Sequence, residues 1–413
     1  MGEVFWTALK LGLTSFGGPI AHLGYFERTY VRRLEWLTSA QYAQLVALCQ
    51  SLPGPTSSQV GFLIGLHRAG WRGGISAWVG FTLPSALLMY GFAILAVALA
   101  APLYQSWVQP ILHGLVLTAV AIVAQAVWSM ARSLCPDWPR RTIAALSCLT
   151  LLLFASPSTQ VVIMLLGAVA GWSTSILPKV GTSQPEPSAT PREASSATGA
   201  AGVTRGVRPR TAAATLSSYG LLLAAFSGLA LFAPHGPIAL AAIFYRAGAL
   251  VFGGGHVVLP LLRQELVPDG WISDGSFLSG YALAQGLPGP LFTVAAYLAA
   301  ASAPEHQSAA WSLLAVVAIF LPGLLLATGG VSLWGLLAKS PSAAAALAGV
   351  NASVVGILGA ALYDPVWLSG VRDVADTLTA LVAFALLQRW RLPVPAIAGL
   401  CVGISLARGL ISL

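Results

Sequence analysis

The sequence predicts an all-α polytopic membrane protein made of two inverted homologous helical repeats, with broken or re-entrant helices and about 13 transmembrane segments. Three observations carry this prediction. Hydrophobic residues make up 57% of the 413-residue chain and charged residues 8%, where a soluble domain has roughly 25% charged residues. The apolar residues come in blocks of about 20, the length that spans a bilayer, and not in the short alternating segments of a membrane β-barrel. Two long stretches of the chain also share one pattern of Gly, Pro and Trp at near-constant spacing.

In chain order, apolar blocks cover residues 4–25, 40–66 (interrupted at Leu52-Pro53-Gly54-Pro55), 75–100, 111–131, 142–155 and 161–177. They define an N-terminal repeat, 1–178. Glu3 and Lys10 lie within the first apolar run, which has no small-residue cleavage site, so it reads as mature fold and not as a signal peptide. Residues 179–214 are rich in Ser, Ala, Thr, Pro and Gly and carry Lys179, Arg192, Arg205, Arg208 and Arg210, the composition of a basic, low-complexity linker. A linking transmembrane helix is expected over 215–235. A C-terminal repeat, 236–413, then restarts the early pattern. One displacement takes Phe16-Gly17-Gly18 to Phe252-Gly253-Gly254, Gly12 to Gly248 and Lys10 to Arg246. A displacement one residue shorter takes Trp36 to Trp271, Gln50 to Gln285, Leu52-Pro53-Gly54-Pro55 to Leu287-Pro288-Gly289-Pro290 and Gly114 to Gly349.

The net charge is basic, 21 Lys+Arg against 13 Asp+Glu. The basic residues lie in short loops, a pattern that reports membrane orientation and does not point to nucleic acid. First-half loops with Arg68 and Arg72, and with Arg132, Arg140 and Arg141, match acidic or mixed second-half loops with Glu305, and with Asp364, Asp373 and Asp376. The first-half loops that carry no charge match second-half loops with Lys339, Arg389 and Arg391. The bias inverts, so the halves are expected in opposite orientations, with the N-terminus and linker cytoplasmic. Inverted repeats with interrupted helices are the architecture of many secondary transporters. One pair of loops leaves two solutions. If 40–66 crosses as one broken helix, Arg28, Arg32 and Arg33 fall outside, against the Lys/Arg rule; if 4–18 and 40–66 are re-entrant, they fall inside.

Candidate site residues follow from the interruptions. Pro53 and Pro55 stop one helix, and Pro55 is suited to start the next, with Thr56, Ser57 and Ser58 in its first turn. A helix that begins at membrane depth presents free N–H groups and a positive dipole end, an anion site. Pro288, Gly289, Pro290 and Thr293 form its echo. The hydroxyls could donate to an anion or merely cap their helix. Lys10 and Arg246 place a cation inside corresponding apolar blocks, at a cost of at least ~2.5–3.5 kcal/mol at a helix centre; Lys10 could instead snorkel to the interface. Gly17, Gly18, Gly253 and Gly254 either expose backbone amides or allow close helix packing. Gly61-x-x-x-Gly65 and Gly167-x-x-x-Gly171 read as packing. Gln50, Gln285, His22 and His256 are candidates for gating or proton coupling, or for satisfying freed backbone. Asp364, Glu305 and the other acids fall in loops, where solvation is expected. The four cysteines are scattered without a C-x-x-C pair, as apolar fillers are, so no metal and no cofactor is expected. Hydrolase and P-loop patterns are absent from the sequence, so the chain does not read as an enzyme or an ATP-driven pump.

The segments T-S-F-G-G-P-I-A-H-L-G-Y-F at 14–26, S-L-P-G-P-T-S-S-Q-V-G-F at 51–62, V-F-G-G-G-H-V-V-L-P-L-L at 251–262 and G-L-P-G-P at 286–290 resemble the chromate ion transporter family, in its long two-domain bacterial form. The resemblance covers both halves and omits only the linker and the block after it. It implies a multi-pass protein of the bacterial cytoplasmic membrane that exports chromate and confers chromate resistance, with two antiparallel halves. Its partners would be the chromate anion, or sulfate of the same charge and shape, and the lipid bilayer; a homodimer is compatible. An anion channel and a membrane-embedded chromate reductase are the alternatives from other classes. The second half has Leu291-Phe292-Thr293 where the first has Thr56-Ser57-Ser58, so two anion-binding breaks would be unequal.

Overall fold

The computed structural model describes residues 1–16, 18–99, 105–154, 156–176, 209–232, 235–252, 255–337, 340–390 and 392–411. Among these the chain is helical, without strands. The first half contains α1 (Gly2–Thr14), α2 (Gly18–Phe26), α3 (Ser39–Ser51), α4 (Thr56–Leu99), α5 (Gln105–Leu134), α6 (Trp138–Leu153) and α7 (Pro157–Ile176). A linking helix, α8 (Pro209–Phe232), starts at a proline and contains the apolar block after the linker. The second half contains α9 (Pro237–Leu250), α10 (Val258–Leu266), α11 (Asp274–Gly286), α12 (Val294–Ser302), α13 (Ser308–Leu337), α14 (Pro341–Ala361), α15 (Val374–Ala385) and α16 (Val394–Ile411).

The two halves use the same start signals. Thr38 caps α3, accepting the Gln41 N–H at 3.2 Å while Gln41 Oε1 accepts the Thr38 N–H at 2.9 Å. Its counterpart Ser273 caps α11 through the Ser276 N–H at 3.3 Å. Asp137 and Asp373 likewise cap α6 and α15. These caps satisfy first-turn amides that the helix itself leaves free.

Among the described residues, five helical stretches are long and apolar enough to cross a membrane: Thr56–Ala96, Val108–Leu134, Arg210–Leu229, Ser308–Ser332 and Pro341–Gly370. The first is two helices. Its chain reverses at Ala69 and Gly70, where Gly70 adopts φ +64°, and segment 56–68 folds back on 71–99. Gly65 lies so close to Gly73 that a Cβ there would sit 2.7 Å from the Ala77 methyl, the packing role expected of that glycine.

Segment 39–68 is a helical hairpin. α3 has 13 residues, so it and segment 56–68 each span about 20 Å; laid end to end they would part their ends by about 40 Å. Instead the Arg68 guanidinium lies over the Trp36 ring, 5.2 Å from its centroid, and reaches Glu3 at 3.4 Å. The second half repeats this: Trp271, before α11, lies 6.1 Å from Trp311, after α12. Of the two arrangements compatible with the sequence, the chain adopts the one in which both ends of the interrupted segment lie together. α1, with 13 residues, is likewise too short for a hydrocarbon core of about 30 Å.

The halves are interlocked by exchange. α5 packs on α15 and α16, and α14 packs on α6 and α7. Gly114 of α5 rests against Val402 of α16, and its counterpart Gly349 of α14 rests against Gly167 and Gly171. Each interface thus repeats the other with the halves interchanged.

Candidate polar site at the first helix break

The tip of each hairpin is tied to the other half. Gly54 has φ +118° and donates its N–H to the Val251 carbonyl, at the end of α9, at 2.7 Å. Gly289 has φ +100° and donates to the Ser15 carbonyl, at the end of α1, at 2.9 Å. Positive φ strains any residue with a Cβ. Space reinforces the requirement: a Cβ on Gly54 would lie 2.9 Å from Gly323 Cα, and one on Gly289 2.7 Å from Ser85 Oγ. Pro53, Gly54, Pro55, Pro288, Gly289 and Pro290 are all buried.

Around the first tip the side chains are polar. α4 begins at Thr56, so the amides of Thr56, Ser57 and Ser58 have no carbonyl four residues back. Ser57 and Ser58 are buried and Thr56 is half-buried. Ser57 Oγ meets His22 Nδ1 at 3.3 Å. His22 is 1% exposed and sits edge-on to Phe81 at 5.4 Å. Gln59 is fully buried and holds the tip in place, donating Nε2 to Pro53 O at 2.8 Å and to Gly323 O at 3.0 Å. Four buried atoms here have no hydrogen-bond partner among the described residues: Ser15 Oγ, His22 Nε2, Ser58 Oγ and Gln59 Oε1. Buried polar atoms are nearly always paired, because an unpaired one costs about 1–3 kcal/mol.

The second tip is different. A short 3-10 turn, Leu291–Thr293, replaces the start of an α-helix. Thr293 turns its hydroxyl back to Pro290 O at 2.8 Å, and Phe292 packs on Phe320 with ring centroids 5.8 Å apart. Gln285 is half-buried and donates to Tyr281 Oη at 2.8 Å, whereas its counterpart Gln50 is exposed.

The matched cations also diverge. Lys10 is exposed on α1. Arg246 is ion-paired with Glu265 through both nitrogens of its fork, beside the Arg263–Asp274 pair at 2.8 Å. Arg246 lines a cavity of about 520 Å³ that also receives Ser156, Asp269 and Asp364. Gly18 opens α2 at φ +77°. Gly17, Gly253, Gly254 and the side chain of His256 lie outside the described residues. The expectation that the remaining acids are solvated fails at Asp376, which is 1% exposed because His113 and Arg408 from two packed helices enclose it. Ser15, Gln59 and Glu265 were not singled out from the sequence. A polar residue in an apolar helix near a break was the available signal for Gln59; for Glu265, 19 residues from Arg246, there was none.

Apolar helices of spanning length and folded helical hairpins define a multi-pass α-helical membrane protein. The chain belongs to the chromate transporter family, whose model matches residues 2–172 and again 238–406. It is a transporter and not an enzyme. It is 27% identical over 389 residues to a probable chromate transport protein of Synechococcus elongatus, covering 93% of this chain and 88% of that one. It is also 27% identical over 375 residues to a chromate transport protein of Pseudomonas aeruginosa, covering 88% and 80%. A chromate transport protein of Cupriavidus metallidurans is 25% identical over 384 residues, covering 93% and 86%. No solved structure matches the chain.

Proposed function

We propose that this protein is a secondary transporter that exports the chromate dianion across the bacterial cytoplasmic membrane and so confers chromate resistance. The observation that carries the reading is the group of buried polar side chains around the first turn of α4, four of whose atoms have no hydrogen-bond partner among the described residues. The amides of Thr56, Ser57 and Ser58, the hydroxyls of Ser15, Ser57 and Ser58, and His22 Nε2 replace the water that the anion leaves behind. Lys10 and Arg246 act through the field around this site and not by direct contact, since one is exposed and the other is already paired.

The halves lie in the membrane with opposite orientation, two-repeat units at 1–178 and 236–413 joined by the linker and α8, about 13 segments in all. The course of α4 supports this. Gly73 lies beside Gly65 at the base of the first hairpin, Ser85 beside Gly289 at the tip of the second, and Tyr90 meets Ser308 at 3.3 Å at the base of the second. A single helix therefore runs from one base to the other, and the hairpins enter from opposite faces with their tips between. Arg68, Arg72 and the Arg28–Arg33 loop share the cytoplasmic face with the N-terminus. One half rocking against the other alternates access to the tips.

The membrane potential is sufficient as a driving force. At 100 mV, negative inside, it contributes ~2.3 kcal/mol per charge, or ~4.6 kcal/mol for a dianion, which sustains on the order of a thousandfold gradient. The test is uptake of labelled chromate by everted membrane vesicles containing the full chain, with sulfate as competitor. Saturable uptake with counterflow is expected. Sulfate flux without chromate flux would reassign the substrate, unsaturable flux would indicate a channel, and chromate reduction by the purified protein a reductase.

A further inference from the structure

Among the described residues, a charged network lies where α5 of the first half meets α15 and α16 of the second. His113 on α5 is 10% exposed and its Nε2 lies 3.0 Å from Asp376 Oδ2. Asp376 also accepts Arg408 Nη1 at 2.6 Å and the Arg372 N–H at 3.1 Å. Arg408 reaches Asp373 with its other arm at 2.5 Å. The network borders a cavity of about 630 Å³ between the three helices, which gives water and protons a way in.

We propose that His113 is a proton-binding site through which pH sets how tightly α5 is held to α15 and α16, and thereby the rate of transport. The proposal rests on the reading of the chain as an alternating-access transporter. The groups facing His113 are Asp376 on α15, Asp373 at its cap, Arg372 in the turn before it and Arg408 on α16; α5 brings no other titratable group to this cavity. With a neutral imidazole, two carboxylates balance two guanidiniums. Asp376 already accepts two N–H donors besides His113, and the Asp376 N–H and Arg408 hold the Asp373 carboxyl below the usual carboxylate range. Both acids stay ionised, so the proton enters at the imidazole. Nε2 must carry a hydrogen to face the carboxylate, and the second proton binds Nδ1. The imidazolium adds one positive charge against Asp376 across the boundary between halves, which strengthens their contact.

The shared fold does not require this network. The displacement that takes Gly114 to Gly349 places Ala348 opposite His113, Arg141 opposite Asp376 and Ser173 opposite Arg408. The helices pack in the mirrored interface without it. By the charge pattern of the loops, the cavity faces outside, so external pH is the quantity sensed.

The test uses the full chain in two readouts. In everted vesicles with the lumen buffered at about pH 5.5 or about pH 8, the initial rate of chromate uptake is expected to change severalfold. His113→Gln should retain uptake and lose the pH response. In the purified protein, amide hydrogen exchange over residues 371–377, corrected for intrinsic pH dependence, should be slower at the lower pH, and His113→Gln should abolish the difference. A pH profile or exchange difference that survives His113→Gln overturns the proposal, as does a wild-type protein flat in both readouts. Absent chromate flux with an intact exchange difference would sink the transport reading and leave the proton site standing.

Discussion

The two hairpin tips share a backbone and differ in their side chains. Each has a Pro-Gly-Pro turn, a glycine at positive φ, and an N–H bonded to the end of the opposite half's first helix, Gly54 to Val251 and Gly289 to Ser15. At the first tip, Ser57, Ser58 and Gln59 follow; at the second, Phe292, Thr293 and Val294 stand in their places. The first tip carries the unpartnered Ser58 Oγ and Gln59 Oε1, whereas Thr293 of the second turns its hydroxyl back to Pro290 and Phe292 packs on Phe320. The turn is held in common because geometry leaves only glycine at Gly54 and Gly289. The residues after it are not held by that geometry and differ between the tips.

The comparison can be broken most severely at its common part. Gly54→Ala and Gly289→Ala should each destabilise the protein by roughly 2–4 kcal/mol, through positive φ and the lack of room. Thermal unfolding in detergent measures this, and equal losses would show that the two tips carry equal structural weight. Next, Ser57→Ala with Ser58→Ala should lower the uptake efficiency by about two to four orders of magnitude, as expected for two lost bonds to an anion of about 1.5–3 kcal/mol each. Thr293→Ala should change it by less than about threefold, because its hydroxyl is spent on Pro290. Matching losses at both tips would mean that the apolar tip also touches substrate. Arg246→Gln should cost about 1–2 kcal/mol of stability by stranding Glu265, a loss that Arg246→Gln with Glu265→Gln largely restores. An uptake defect persisting in that double variant would return Arg246 to direct contact. The smallest effect belongs to Lys10→Gln, less than about twofold on uptake, since an exposed ammonium keeps its hydration. A larger loss would place Lys10 at the site.

Much of this was legible in the chain itself. The repeat displacement joined Gly54 to Gly289 and Lys10 to Arg246, and the prolines located both breaks. Ser57 and Ser58 stood out as hydroxyls at a helix start. The equivalence of Lys10 and Arg246 did not extend to their surroundings, because an ion pair depends on which helix lies alongside. Gln50 and Gln285 parted for the same reason: one faces outward and the other meets Tyr281. His113 and Asp376, 263 residues apart, could be joined only by the exchange of helices between halves.

The sequence by itself determined what is local. Its hydrophobicity set an all-helical membrane chain, its prolines and glycines fixed the breaks, and its Ser, Thr and Asp caps fixed where helices begin. These are decided by backbone sterics and hydrogen bonding within a few residues, which a repeated pattern preserves. The tertiary structure alone decided that the interrupted segments fold back as hairpins, that each tip is bonded to the other half, and which cations are neutralised. Those outcomes depend on contacts between residues hundreds of positions apart, where packing selects among arrangements that local propensity leaves equal in energy.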